Sequence, residues 1–340
     1  MIAARKRNLI TDVPGVLVGQ AEDAAIASGV TVALFERPAT AALSVLGGAP
    51  GTRDTALLEP EMTRQTIDAV VLSGGSLFGL DAAGGVVAQL SRLGRGVAIG
   101  GVKVPIAVQA ILFDLINGGD KPWLREPVTR RPPYWEMGQA AAAAVGVEFA
   151  LGTAGAGFGA TTFNLKGGIG SASARARSGP MVGALVAVNA IGAATIGDGP
   201  HFWAGAYERD GEFGGLGWPA SLPPGALDLR FKGDSVTATS IGLVATDATL
   251  TKAECKRLAI MAHDGLARAL RPVHAPNDGD TLFAAATGLL PIGGDPVVLT
   301  ELGALAADCV ARAVARGVHA ATALPFPNAR PAWRDKFGRG

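Results

Sequence analysis

Thr239-Ser240-Ile241-Gly242-Leu243-Val244-Ala245-Thr246-Asp247 begins where a polar, Gly- and Pro-rich segment, residues 208 to 238, gives way to an apolar, β-prone run. The run predicts a buried strand with a hydroxyl residue at its very start. That position has a chemical use. If the Ala238–Thr239 peptide bond is broken, Thr239 gains a free α-amine beside its own Oγ1. One residue then supplies both the general base and the nucleophile of an acyl transfer. No ordinary base competes for the role, because the four histidines are scattered and no metal-ligand spacing is present. The same residues also suit a plain strand opening, since Thr, Ile and Val favour sheets anywhere. Ser240 is the competing hydroxyl.

Other stretches lie on both sides of this one. Lys166-Gly167-Gly168-Ile169-Gly170 precedes it, and Asn277-Asp278-Gly279-Asp280-Thr281-Leu282-Phe283 follows. Together with Thr239-Ser240-Ile241 and Ala245-Thr246-Asp247, and beginning from Ile10-Thr11-Asp12-Val13-Pro14-Gly15-Val16, they resemble in order the DmpA-type self-cleaving aminopeptidases. That family includes the β-aminopeptidases and the nylon-oligomer hydrolases. The resemblance runs to about Phe283. It implies an α+β fold, a four-layer αββα sandwich of the N-terminal-nucleophile-hydrolase kind. It further implies one domain over residues 1–340 that cuts itself into an α chain, 1–238, and a β chain, 239–340. The activity it implies is amide hydrolysis or aminopeptidase action on a small peptide or amide, without a cofactor or metal. Hydrolysis of 6-aminohexanoate oligomers is the alternative within the family. Acyl transfer of the ornithine-acetyltransferase kind is a second alternative, since those enzymes share self-cleavage at a Thr. An uncleaved, non-catalytic homologue also stays open, because Ala238 stands where some relatives carry Asn or Gly.

Amide hydrolysis needs donors for the oxyanion as well as a nucleophile. The resemblance implies that Asn189, set in the apolar run Ala187-Val188-Asn189-Ala190-Ile191-Gly192, donates to the oxyanion. Such an Asn is costly to bury without partners, so a structural Asn pinning a turn is the other reading. Lys166 aligns with an active-site Lys that stabilises developing charge or holds the Thr239 amine neutral; a solvated loop cation is the alternative. Asp278 and Asp280 resemble the acidic pair of the nylon-oligomer hydrolases and are expected to orient the Thr239 amine and hydroxyl. An Asn-Asp-Gly turn suits the same residues. Phe113 stands where some relatives place an active-site Tyr, and Tyr134 belongs to a later loop. Phe113, Ser73 and Ser76 are assigned to the substrate pocket.

The chain has 340 residues, of which 49% are hydrophobic and only 17% charged, with 48 glycines. This mixture predicts thick buried sheets, many tight turns and large subunit contacts, hence a homo-oligomer, a tetramer or larger. A net charge of +1 provides no electrostatic attraction for nucleic acid or a membrane surface. Residues 181 to 197 are apolar but short for a membrane span and contain Asn189, so they read as two buried strands joined by a turn. Met1 to Asn8 is basic without an apolar core, so no signal peptide is expected and the compartment is read as cytoplasmic. Cys255 and Cys309 fall in helix-like stretches and are expected to be buried.

Strand-like pieces cover Val16 to Val18, Gly29 to Phe35, Ala41 to Leu46 and Ala69 to Leu72. Ser73-Gly74-Gly75-Ser76 then leads into a helix from Leu77 to about Leu93. That turn offers an anion site or simply lets the helix pack closely on the sheet. Residues 117 to 135 read as a surface loop and Gln139 to Val145 as a helix. Gly155-Ala156-Gly157-Phe158-Gly159-Ala160 is followed by β-prone residues, which excludes a dinucleotide site. Thr251 to Glu254 has capping-box spacing and opens a helix to about Leu270. Thr281 to Thr287 reads as a strand and Thr300 to Gly317 as a helix. The tail from Pro325 is expected to be extended.

Overall fold

The computed structural model describes residues 7–126, 131–233 and 238–338. Part of the loop ahead of Tyr134 and the last four residues before Ala238 lie outside these. The strands are β1 (Val16–Asp23), β2 (Ser28–Val45), β3 (Thr52–Arg53), β4 (Thr66–Ser73), β5 (Val97–Ile99), β6 (Val102–Val104), β7 (Ala107–Ile111), β8 (Gly168–Arg175), β9 (Met181–Val188), β10 (Ile241–Ala248) and β11 (Thr281–Leu290). The helices are α1 (Ala82–Arg92), α2 (Tyr134–Ala143), α3 (Lys252–Ala269), α4 (Pro296–Ala320) and α5 (Trp333–Phe337).

Nine strands form one sheet in the order β3-β7-β4-β2-β11-β10-β9-β8, with β1 paired to β2. The sheet doubles over because β2, 18 residues long, serves both halves. Its first half pairs with β1 and β4, and its second half with β11. A register shift between Leu34 and Ala39 marks the change. Alternation along each strand then divides the apolar side chains between three cores. On β10, Ile241, Leu243 and Ala245 face an inner core shared with Val16, Phe35, Val70 and Val108 of the opposite layer. Val244 and Ala248 face an outer core built with α3 and α4. Val30, Val32, Ala69 and Val71 face the other way, onto α1 and α2. Helices, sheet, sheet and helices therefore stack as the expected αββα sandwich.

Local chemistry sets the boundaries. Thr251 Oγ1 accepts from Glu254 N at 3.2 Å while Glu254 Oε2 accepts from Thr251 N at 2.7 Å, closing the capping box that starts α3. Helix α4 lies directly on β8 because Gly170 leaves room: a Cβ there would sit 1.8 Å from Ala313 O. Cys255 and Cys309 are buried in α3 and α4. Gly155–Gly157 forms a short 3-10 turn with no helix after it.

Several expectations need correction. Only the first part of residues 181 to 197 is a strand; the chain leaves the sheet at Asn189, whose side chain is claimed by other segments. Beyond it, isolated bridges hold Ala193 to Arg271 and Thr195 to Phe202. The helix expected from Leu77 begins as a 3-10 turn, Ser76–Asp81, before α1. The Gly74-Gly75 turn holds no open anion site. Asp114 fills it, its Oδ1 accepting from Gly75 N at 2.7 Å, so close packing is the correct reading. α4 begins at Pro296, earlier than Thr300, and the tail coils into α5 as Trp333 stacks on Phe202. No helix among the described residues is long and apolar enough to cross a membrane.

Candidate active site

Thr239 is placed by the strands on either side of it. β10 runs antiparallel to β9 and parallel to β11, so the residues just ahead of Ile241 meet the end of β9 on one side and the start of β11 on the other. Thr239 N donates to Asn189 O at 3.0 Å. Ala238 forms a parallel bridge with Asp278, and Gly279 N donates to Ala238 O at 3.1 Å. The Thr239 hydroxyl donates to the same carbonyl oxygen at 2.5 Å. Two donors therefore converge on the oxygen of the Ala238–Thr239 peptide. Thr239 itself is only 4% exposed.

The two carboxyl groups beside this peptide differ in their partners. Asp280 Oδ1 accepts from Ser240 N at 2.8 Å, and its Oδ2 accepts from His274 N at 3.1 Å and lies 2.9 Å from His274 Nδ1. Asp278 accepts from the Gly279 N–H at 3.0 Å, a donor it shares with Ala238 O, and its carboxyl also hydrogen-bonds that of Asp280. Burial, and then the Asp280 charge, push the Asp278 carboxyl up to about 8. A carboxyl raised in this way is able to exchange a proton near neutrality. Asp280 thus reaches Thr239 through the backbone of Ser240, not through the Thr239 side chain. Ser240 Oγ is buried without a hydrogen-bond partner.

Asn189 stands on the opposite side. Its Oδ1 accepts from Thr161 N at 3.0 Å, Asn117 Nδ2 at 3.1 Å and Lys232 Nζ at 3.4 Å, while its Nδ2 donates to Phe113 O at 2.8 Å. One Nδ2 hydrogen remains uncommitted. Lys166 is fully buried, but its Nζ is spent on the carbonyls of Gly157, Ala160 and Gly167. The cation in contact with Asn189 is instead Lys232, which also donates to Thr161 O at 2.9 Å and is attracted by Asp278. Burial lowers both ammonium groups to about 7. Sequence reasoning missed Lys232, Asn117, Gly279 and His274. A Lys behind Phe231 at the end of the linker was the one available signal, and it reads equally as a solvated charge.

The three pocket residues are dispersed. Phe113 contributes its carbonyl to Asn189. Ser73 Oγ lies inside the fold, donating to Gly79 O at 3.1 Å and accepting from Gln109 Nε2 at 2.8 Å. Ser76 is a turn residue whose N–H donates to Leu112 O. Tyr134, fully buried, donates to Ser28 Oγ at 3.0 Å and takes no part in the site. Two clefts meet at Lys232 and Gly233. One, of about 590 Å³, includes Asn117, Thr161 and Arg330 in its walls. The other, of about 350 Å³, is apolar, with Ile191, Phe231 and Pro276. A larger cleft of about 710 Å³ by Trp203 and Trp218 contains none of the residues around Thr239.

Comparison with known proteins gives the family and the fold. The profile of Peptidase family S58 matches residues 8–331. An uncharacterized aminopeptidase of Mycobacterium bovis is 43% identical, over 97% of this chain and 98% of its own length. A 6-aminohexanoate-oligomer endohydrolase of Paenarthrobacter ureafaciens is 27% identical, over 89% of this chain and 84% of its own. Among solved structures, the L-aminopeptidase D-Ala-esterase/amidase of Ochrobactrum anthropi, described as a prototype for the serine aminopeptidases and a variant of the Ntn hydrolase fold, superposes with a TM-score of 0.67. It is 22% identical, with 95% of this chain and 89% of that one covered.

Proposed function

The chain belongs to peptidase family S58 and is a hydrolase of peptide or amide bonds, and on that premise we propose that it is made as one precursor that Thr239 cuts and then serves. The observation that carries this reading is the convergence of the Thr239 hydroxyl and the Gly279 N–H on Ala238 O, at the buried mouth of β10. In processing, Thr239 Oγ1 attacks the Ala238 carbonyl carbon. The oxygen becomes an oxyanion and the Gly279 N–H holds it. The hydroxyl proton, which already bonds the Ala238 oxygen, ends on the Thr239 nitrogen as the C–N bond breaks. Water then hydrolyses the Ala238 ester, leaving fragments 1–238 and 239–340.

In turnover the free α-amine of Thr239 takes the Oγ1 proton and the hydroxyl attacks a substrate amide. The uncommitted Asn189 Nδ2 hydrogen and the Gly279 N–H face the new oxyanion. Lys232 fixes Asn189 and, with Lys166 behind it, places positive charge where negative charge develops. Asp280 and His274 hold the start of β10 in place. The substrates are small peptides or amides opened at their N-terminal residue. The Asp278/Asp280 pair favours 6-aminohexanoate oligomers as a second substrate class. Turnover of amino-acid p-nitroanilides against those oligomers separates the two. The low charge fraction and exposed Leu216, Trp218 and Leu227 support a homo-oligomer, and the protein is assigned to the cytoplasm.

The test is intact mass under denaturing conditions. The wild type gives species of about 24 and about 10 kDa from 34.3 kDa. Thr239→Ala stays whole and inactive. A cleaved, active Thr239→Ala protein would overturn the assignment.

A further inference from the structure

The cleft of about 590 Å³ beside the site has an uneven charge distribution. Its walls hold two cations, Lys232 and Arg330, and no acidic residue among those described. The cations are not equivalent. Lys232 is buried and already committed to Thr161 O and Asn189 Oδ1. Arg330 is exposed to the cleft and has no hydrogen-bond or ion-pair partner among the described residues. Asn117, Thr161 and Asn328 add neutral polar groups to the same walls. The cleft also leads to the nucleophile by direct contacts: Asn117 and Lys232 bond Asn189 Oδ1, and Asn189 O accepts from Thr239 N. Its volume falls in the range of small-molecule sites, roughly 300–1,000 Å³.

We propose that Arg330 binds a carboxylate of the substrate in this cleft, so that the enzyme favours small amides bearing a negative charge over their uncharged counterparts. This rests on the hydrolase reading above and names the substrate class for it. A guanidinium presents two parallel N–H donors that match a carboxylate in a bidentate pair. Lys232, two bonds short of being free, strengthens the positive field without supplying that fork. The carboxylate has two possible positions on a substrate: the C-terminus of the leaving part of a dipeptide, or an acidic N-terminal side chain on the acyl part.

The experiment uses the processed enzyme and two substrate pairs. The first pair is an alanyl dipeptide and its C-terminal amide; the second is glutamyl and glutaminyl p-nitroanilide. In the wild type the charged member of one pair has the higher kcat/KM. In Arg330→Gln, shown by mass to process normally, that ratio falls about tenfold, the worth of a charged hydrogen bond at a partly exposed site. Arg330→Lys recovers part of the ratio. Loss of preference in the first pair places the carboxylate on the leaving part, and loss in the second places it on the acyl part. Ratios unchanged in both pairs would refute the subsite, as would an equal fall for charged and uncharged members. A processed wild type that turns over none of the four substrates would remove the reading of N-terminal amide hydrolysis, and this proposal with it.

Discussion

Gly279→Ala tests the geometry of self-cleavage more sharply than removal of the nucleophile. Gly279 lies over the Thr239 side chain. A Cβ built there falls 2.7 Å from Thr239 Oγ1, 3.0 Å from Thr239 Cγ2 and 2.9 Å from Ala49 O. The Oγ1 contact is about 0.7 Å inside the 3.4 Å at which ordinary contact begins. Rotation of the threonine gives no relief, because both of its branches face the new methyl group, and retreat of the loop is blocked by the Ala49 backbone. Gly279 is absent from the left-handed glycines, so alanine brings no backbone strain. The effect on stability is small: overpacking costs about 1–3 kcal/mol, offset by the 0.4–1 kcal/mol that Gly→Ala gains from a stiffer unfolded chain. The effect on rate is not small. A misplacement near 1 Å costs about 100-fold in a positioned reaction, so processing should slow between about 10- and 100-fold. The assay is a time course of intact mass from a freshly made precursor, with the thermal midpoint measured in parallel. Cleavage at the wild-type rate in a folded Gly279→Ala protein would refute the attack by Thr239 Oγ1 from the position described.

Two further outcomes follow from the buried groups. Lys232 has its pKa lowered to about 7 by burial, against 10.5 in the unfolded chain. Between those values the folded protein has released a proton that the unfolded chain keeps, so Lys232 adds stability as pH rises through that window and costs most below about 7. Lys166, lowered to about 7 as well, gives a slope of the same sign. Lys232→Met should therefore make the slope in denaturant titrations from pH 7 to 10 shallower, and a slope as steep as that of the wild type refutes the burial of a charge there. His274 has φ +57 and holds Asp280 Oδ2 by two nitrogens. Asn tolerates that backbone region, so His274→Asn keeps the loop and loses the ring. Mass time courses should show processing about tenfold slower, as expected for one lost bond to a carboxylate; an unchanged rate would remove His274 from the site.

The chain reveals its skeleton readily and its site only in part. β10, α3 and β11 were legible because alternation, a capping box and a second apolar run are local signals that tertiary packing reinforces. The length of β2 was not, since Glu36-Arg37-Pro38 interrupts its apolar pattern where the strand passes from one layer to the other and is exposed. Residues 190 to 196 misled for the opposite reason: they are buried and apolar, yet irregular, because the backbone after Asn189 finds partners near Phe202 and Arg271. Asn189, Asp278 and Asp280 were legible only through the family resemblance, which the apolar run and the Asn-Asp-Gly turn around them could not replace; the fold sets them beside Thr239 at the ends of β9, β10 and β11. Lys232 escaped because only three-dimensional structure shows that a linker cation points inward. Lys166 is buried and not a solvated loop cation, and the three carbonyls that hold its Nζ are announced by no sequence pattern.

The interleaving of the sheet has a consequence for the life of the protein after the proposed cut. The segment from β10 to α4 is inserted between β9 and β2, both of which belong to residues 1–238. Breaking one peptide bond therefore leaves the two pieces laced together along two ladders and a common core, and they have no reason to separate. Unfolding, however, changes its order. An intact chain refolds on itself at any dilution, whereas two pieces must meet, so recovery becomes concentration-dependent and fails in dilute solution. The finished enzyme is then preserved by how slowly it opens and not by its ability to return, and each molecule has a single opportunity to assemble.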